Sequence, residues 1–335
     1  MFKYTQIAFK KPMISLRQSY VEIFHQSRSL FTATEKHAVK KNTFISFKQE
    51  ISVKLMSKSD LATALTWAET EGWCPGKYEL DVLYNADPNG YYMLHVDGEP
   101  VASLACTRHS EQFAFLGLFI VLPNFRDQGY GKVLWDVVLG RAATFNSLGL
   151  NAVMSQIHRY KKSGFSEDSL ISRWRINVDK TPKSQGFAEK NLTLCDTVTH
   201  EKILSYDAKS FTNSRKMFLD KWLKIPESRT LAALNKDGEV LGYGSVNKTS
   251  EGYKIAPFIA DNHIVADSLY KGFCHIVGKQ KHVFIDMPNV NPNSKKLVEQ
   301  FKMEKMFDTM RMYKGTPPHT NEKKIIATTS LEIGY

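Results

Sequence analysis

Apolar and polar positions divide the chain from residue 51 onward into short alternating elements. Ile51–Leu55 reads as a strand. Ser57-Lys-Ser-Asp60 follows, a polar cap with an acid in the first turn, and Leu61, Leu65 and Ala68 then recur at helical spacing. Gly72-Trp73-Cys74-Pro75-Gly76 breaks that helix, and a second short one is expected over 78–84, ending before the turn cluster Asp87-Pro88-Asn89-Gly90. Tyr91–Val96 and Val101–His109 are strands joined at the tight-turn dipeptide Asp97-Gly98. Phe113–Leu122 is longer and mostly apolar, as expected of a central strand covered on both faces; Pro123 ends it. From Gly129 to about Phe145 a helix is expected, with Leu134, Val137, Val138, Ala142 and Phe145 on the 3.6-residue period. A short strand (Ala152–Ser155), a short helix (His158–Ser163) and a strand (Trp174–Val178) complete the series.

Thr181-Pro-Lys-Ser-Gln-Gly186 reads as a linker, and beyond it the pattern partly repeats. Leu231–Asn235, Asp237-Gly238-Glu239, Val240–Val246 and Tyr253–Ile259 echo the strands around Asp97-Gly98-Glu99 at an offset of roughly 140 residues. The order of elements predicts an α/β (α+β) fold, a mixed central sheet flanked by helices, followed by a second, smaller copy.

Length and charge add boundaries. A chain of 335 residues predicts two domains. No apolar run reaches the ~20 residues of a membrane span, so no membrane partner is expected. Cys74, Cys106, Cys195 and Cys274 lie far apart without a Cys-x-x-Cys pair, which argues against a disulfide scaffold and a zinc ribbon, and no metal is expected. The net charge is +11, but residues 1–49 hold nine Lys/Arg against two acids, seven of those eleven charges. The remaining body is mildly basic, and no nucleic-acid surface is implied. The basic, acid-poor leader is read as disordered or as a gene-model extension, with a mitochondrial transit peptide as the alternative; the expected compartment is the cytoplasm, or else the mitochondrial matrix.

The chemistry concentrates in Phe119-Ile-Val-Leu-Pro-Asn-Phe-Arg126-Asp-Gln-Gly129-Tyr-Gly131-Lys132, where an apolar strand meets a helix through a glycine-bearing turn. A helix N-terminus exposes unpaired N–H groups and roughly half a positive charge, and glycines let the backbone approach a ligand. Together they suit a pyrophosphate, with Arg126 and Lys132 adding charge. Leu134 excludes a dinucleotide fingerprint, and Val133 after Gly131-Lys132 excludes a P-loop. The pattern that is satisfied is Arg/Gln-x-x-Gly-x-Gly/Ala, at Arg126, Gly129 and Gly131.

With Tyr160-Lys-Lys-Ser-Gly164-Phe165 downstream, residues 50–178 resemble the GNAT superfamily of acyl-CoA N-acyltransferases. The resemblance implies a splayed strand whose backbone at Phe119, Ile120 and Val121 pairs with pantetheine. It implies a pyrophosphate held by the amides of Gln128, Gly129, Tyr130, Gly131 and Lys132, with Arg126 nearby. Asp127 stands where many members have Gly, and Val153 replaces an Asn common in the family, so Gln156 or His158 is expected to contact the pantetheine arm. Glu71-Gly-Trp-Cys-Pro-Gly76, Phe115–Val121 and Arg311-Met-Tyr-Lys-Gly315 resemble a subfamily with a second, degenerate GNAT-like domain. There, Pro257–His263 stands without glycine where the loop would be and Lys302-Met303 replaces Gly-Phe, so that unit is expected to wall an acceptor cleft rather than bind acyl-CoA.

Acyl transfer to nitrogen needs an amine placed against the thioester carbonyl and a proton for the departing thiolate. The resemblance assigns that proton to Tyr160. Phe113–Leu122 holds no acid, so Glu111 and His109 are the nearest candidate bases. Glu71, Trp73 and Asp286 are expected to face the acceptor. The expected organisation is a leader (1–49), an N-acetyltransferase domain (50–180), a linker (181–190), a degenerate GNAT-like domain (191–316) and a tail (317–335). The expected activity is transfer of an acetyl group from acetyl-CoA, as co-substrate with no permanently bound cofactor, to an amine of a small molecule or peptide within a ternary complex. The alternatives are a protein N-terminal or lysine acetyltransferase and a catalytically silent acyl-CoA sensor.

Overall fold

The computed structural model describes residues 49–178, 193–211 and 215–334. The basic leader and the 181–190 linker lie outside them.

Ser57 starts α1 (Lys58–Thr70) through a reciprocal cap: its Oγ accepts from the Asp60 N–H at 3.2 Å, and its own N–H donates to Asp60 Oδ2 at 2.8 Å. Leu61, Ala64, Leu65 and Ala68 form the buried stripe. The second helix, α2 (Leu80–Ala86), starts two residues later than the pattern predicts. Three antiparallel strands follow, β2 (Tyr91–Val96), β3 (Glu99–Arg108) and β4 (Phe113–Val121), with β1 (Ile51–Leu55) paired to β2. Helix α3 (Tyr130–Ala142) leads to β5 (Ser147–Val153), parallel to β4, and α4 (Ile157–Lys162) leads to β6 (Ser166–Asn177).

The series then repeats. After β7 (Thr193–Cys195), α5 (His200–Asp207) and α6 (Lys216–Trp222) come β8 (Arg229–Leu234), β9 (Val240–Lys248) and β10 (Tyr253–Ala260). Helix α7 (His263–Val277) is capped by Asn262 and leads to β11 (His282–Pro288), parallel to β10; α8 (Pro292–Phe301) leads to β12 (Glu304–Lys314). A last strand, β13 (Ile325–Ala327), pairs with β10.

Thirteen strands among the described residues form one sheet in the order β1-β2-β3-β4-β5-β12-β6-β11-β10-β9-β8-β7, with β13 beside β10. The two halves exchange their last strands. The neighbour of β5 is β12 from the second half, the neighbour of β11 is β6 from the first, and β6 and β12 pair with each other. On one face, α1, α2, α5 and α6 share a single apolar cluster that includes Leu61, Leu83, Leu204 and Trp222. On the other, α3 covers the first half and α7 with α8 the second.

Candidate functional site

The site begins where β4 leaves β5. Their parallel register stops at Leu116↔Leu150, although β4 runs on to Val121. A bulge lies in the same place: Leu118 has φ +49°, and the β3–β4 register shifts between Ser103 and Ala105. The bulge reverses the alternation. Leu118 and Ile120 turn to the α1/α2 cluster, and Phe119 and Val121 to the cluster under α3. Leu122 N–H bonds back to Val101 at 3.0 Å, and Ile120 lies opposite Ser103. By alternation, the main-chain groups of Phe119 and Val121 face the opening gap, and those of Ile120 do not.

The turn after β4 closes on itself. Arg126 Nε donates to the Val121 carbonyl at 2.8 Å, and its Nη2 pairs with Glu71 in the loop after α1. Glu71, expected at the acceptor, is thus the partner of a loop arginine. Asp127 takes φ +60° with its side chain in solvent. Gly129, at φ +91°, is the N-cap of α3 and offers no side chain to its first amides. The N–H groups of Lys132 and Val133 donate to the Gly129 carbonyl at 3.0 and 3.1 Å, which leaves those of Tyr130 and Gly131 uncapped at the helix start. A Cβ on Gly131 would stand 3.3 Å from Val121 Cγ2 and 3.5 Å from Phe119 Cζ, so the small residue lets the helix start lie against the gap. The side chain of Lys132 is drawn away to Asp136, Gln128 donates to the Asn124 carbonyl at 2.7 Å, and the Tyr130 hydroxyl donates to Gln49 at 2.9 Å.

An aromatic row lines the α3 side of the gap. Phe119 stacks on Trp135 at 5.7 Å, Trp135 meets Tyr160 at 5.6 Å, and Tyr160 meets Phe165 at 6.3 Å. Burial pushes the Tyr160 phenol up to about 12. At the open end of β5, Val153 and Met154 are exposed; Gln156 is half-buried, and His158 points to solvent. Trp135 was not among the expected residues, because on α3 it reads as one more helical apolar position.

The remaining candidates lie elsewhere. Glu111 is exposed in the β3–β4 turn, and His109 flanks it; six residues of strand, roughly 20 Å, separate Phe113 from Phe119. His109 Nε2 donates to the Ile333 carbonyl at 2.7 Å, and burial holds its ring down at about 3, hence neutral. Asp286 is locked to Arg173 through two contacts of 2.7 Å, both side chains buried, and Arg173 also donates to the Trp73 carbonyl. Trp73 packs half-buried against the α1/α2 cluster. The Asp286 carboxylate is thus committed to Arg173 and not to an acceptor.

Residues 328–334 lie along this α1/α2 face. Thr329, Ser330, Glu332 and Ile333 are buried there, and Asn151 Nδ2 of β5 donates to the Leu331 carbonyl at 3.2 Å. A cavity of about 100 Å³ borders the segment, with Phe113, Arg311 and Tyr313 in its wall. The segment carried no motif in the sequence; its one signal was the apolar triplet at Ile325 before it.

Two family models match the chain, one described as acetyltransferase (GNAT) family over residues 59–165 and one as acetyltransferase (GNAT) domain over 203–327. The chain is 28% identical to holothin acyltransferase of Pseudoalteromonas sp. (strain SANK 73390) over 273 residues, 80% of this chain and 89% of the relative. In fold it is similar to a proposed acetyltransferase of Pyrococcus horikoshii, with TM-score 0.70 at 18% identity over 90% of this chain and 100% of that one. It is also similar to a tandem GNAT protein from the clavulanic acid biosynthesis pathway, with TM-score 0.59 at 12% identity over 79% and 98%.

Proposed function

The chain belongs to the GNAT superfamily of acyl-CoA N-acyltransferases and carries two such units in tandem, and on that premise we propose that its first half moves an acetyl group from acetyl-CoA to the amine of a small acceptor. One observation carries the reading: the gap between β4 and β5 opens beside the uncapped start of α3. A pantetheine arm entering the gap would pair with the main chain of Phe119 and Val121. The diphosphate would meet the amides of Gly129, Tyr130 and Gly131, where the helix end favours negative charge. A backbone N–H on the parted strand would polarise the thioester carbonyl. Tyr160, along the same wall, would protonate the departing thiolate, and its raised phenol stays protonated at any working pH.

The segment over β4 favours a small acceptor, since an extended peptide would need an open groove on that face. The name holothin acyltransferase leaves acyl groups larger than acetyl open, and acyl-chain length belongs to the same test. Calorimetry with CoA and acetyl-CoA, together with thiol release over a panel of amines, tests the reading. Binding with thiol release supports it, and Tyr160→Phe is expected to lower kcat about 100-fold while CoA binding holds. Binding without release from any amine would instead mean a sensor, and no binding would end the proposal.

A further inference from the structure

The acceptor nitrogen must lose a proton as it bonds to the acyl carbon, and β4 holds no acid to take it. Nor has it room for one. Gly117 is the first residue beyond the last β4–β5 pair; a Cβ there would fall 1.7 Å from the Glu332 carbonyl oxygen and 3.6 Å from Glu332 Cα. The C-terminal segment therefore lays its main chain on β4 at the apex of the gap. It launches a carboxylate side chain from beside the point where a β4 side chain would begin. We propose that Glu332 is the catalytic base of the transfer, delivered to the apex by residues 328–334; this rests on the acyl-transfer reading above.

The segment is held in place along its length. Thr328 N–H donates to the Asp286 carbonyl at 3.0 Å, Thr329 accepts from Arg215 Nη1 at 2.7 Å, and Asn151 and His109 bond the carbonyls of Leu331 and Ile333. Glu332 is 2% exposed; its Oε2 accepts from Ser330 Oγ at 2.8 Å, and its Oε1 has no hydrogen-bond partner. Leaving a buried acceptor unpaired is costly, so its retention calls for a task.

Other charged groups lie close to it. Glu79, from the loop before α2, is fully buried with both carboxylate oxygens lacking hydrogen bonds, and Lys254 of β10 lies 3.3 Å from it. Burial pushes the Glu79 carboxyl up. Burial alone would lower Lys254, but Glu79 and then Glu332 hold its ammonium above the usual lysine range. Arg173 of β6 is matched by Asp286 of β11. Lys254 is thus ion-paired with Glu79 and lies within electrostatic reach of Glu332. In the transfer, Glu332 Oε1 takes a proton from the acceptor ammonium, the freed lone pair forms the C–N bond, and the remaining surplus N–H proton passes to solvent. The C–S pair leaves with sulfur, which takes the Tyr160 proton, and exchange with solvent restores both groups. Tyr160 stands on the α3 side of the gap and Glu332 on the α1/α2 side, so acid and base approach the acyl group from opposite faces.

Glu332→Gln in the full chain tests this, with thiol release followed against pH and CoA affinity by calorimetry. The expected result is a loss of about 100-fold at neutral pH with CoA affinity unchanged. That loss should shrink as pH rises toward the amine's own pKa, where the acceptor arrives already neutral. A merely structural role would give a loss uniform in pH, and that outcome overturns the assignment, as does full turnover. Glu332→Asp, which keeps the charge, is the second variant if the amide form does not fold; a loss of about tenfold is expected, and wild-type turnover would overturn the role. Wild-type protein that binds CoA but releases no thiol would bring down the acyl-transfer reading itself, a result distinct from an active Glu332→Gln.

Discussion

His109 shows how burial decides what a titratable side chain can do. Its ring is packed edge-on to Phe113 and stacked near Phe115, and its Nε2 hydrogen is spent on the Ile333 carbonyl. Its pKa falls to about 3 in the folded chain against about 6.5 unfolded. Between those values the unfolded chain binds a proton that the native chain refuses, so stability is present above pH ~6.5 and drains away as pH falls toward 3. His109→Gln keeps a donor for Ile333 but cannot titrate. Its urea midpoint is expected to fall less than the wild type's between pH 7 and 5, and equal falls would contradict this reading of the ring. Sequence pattern alone made His109 a candidate base because it stands near the one strand that matters. What the pattern could not carry is the residue 224 positions away that fixes its hydrogen. Asp286 misleads in the same way: an acid after an apolar run is as compatible with a buried arginine partner as with a cleft.

At the scale of elements, the strand–turn–helix unit from β4 to α3 was the most legible part of the chain, because its demands are local. The apolar run, Pro123 as stop, Gly129 at a left-handed cap and Gly131 at a close approach each write one constraint at one position. The same locality makes the loop testable. A left-handed conformation costs a residue with a Cβ roughly 1–2 kcal/mol, so Gly129→Ala is expected to weaken CoA binding about tenfold by calorimetry. Its thermal unfolding should shift by only a few degrees. Unchanged affinity would separate the cap geometry from CoA binding. The bulge at Leu118 was not legible, since Phe113–Val121 is apolar on both faces and a reversed alternation leaves no trace in it. The strand expected at Trp174–Val178 begins instead at Ser166. Its first third, Ser166-Glu-Asp-Ser, is polar, and it becomes strand only because β12 offers a ladder beside it.

For the molecule as a whole, the repeated Asp-Gly-Glu hairpins announced a second copy of the unit, but not that the copies trade strands. A strand's alternation records which face is buried and is silent about which neighbour bonds its edges. The trade has a consequence for folding. Without the second half, β5 loses β12 along Leu148–Val153, β6 loses partners on both edges, and α1 and α2 lose the Leu204 and Trp222 side of their shared cluster. Unpaired edges and an uncovered apolar face both favour aggregation over folding. The described body is therefore expected to unfold in one cooperative transition. Residues 49–178 expressed alone should lack a dispersed amide NMR spectrum, and mixing them with residues 193–335 should restore it. A well-dispersed spectrum with a cooperative melt from the first fragment alone would mean that its own strands can close the sheet, and that the exchange decorates two independent units instead of building one.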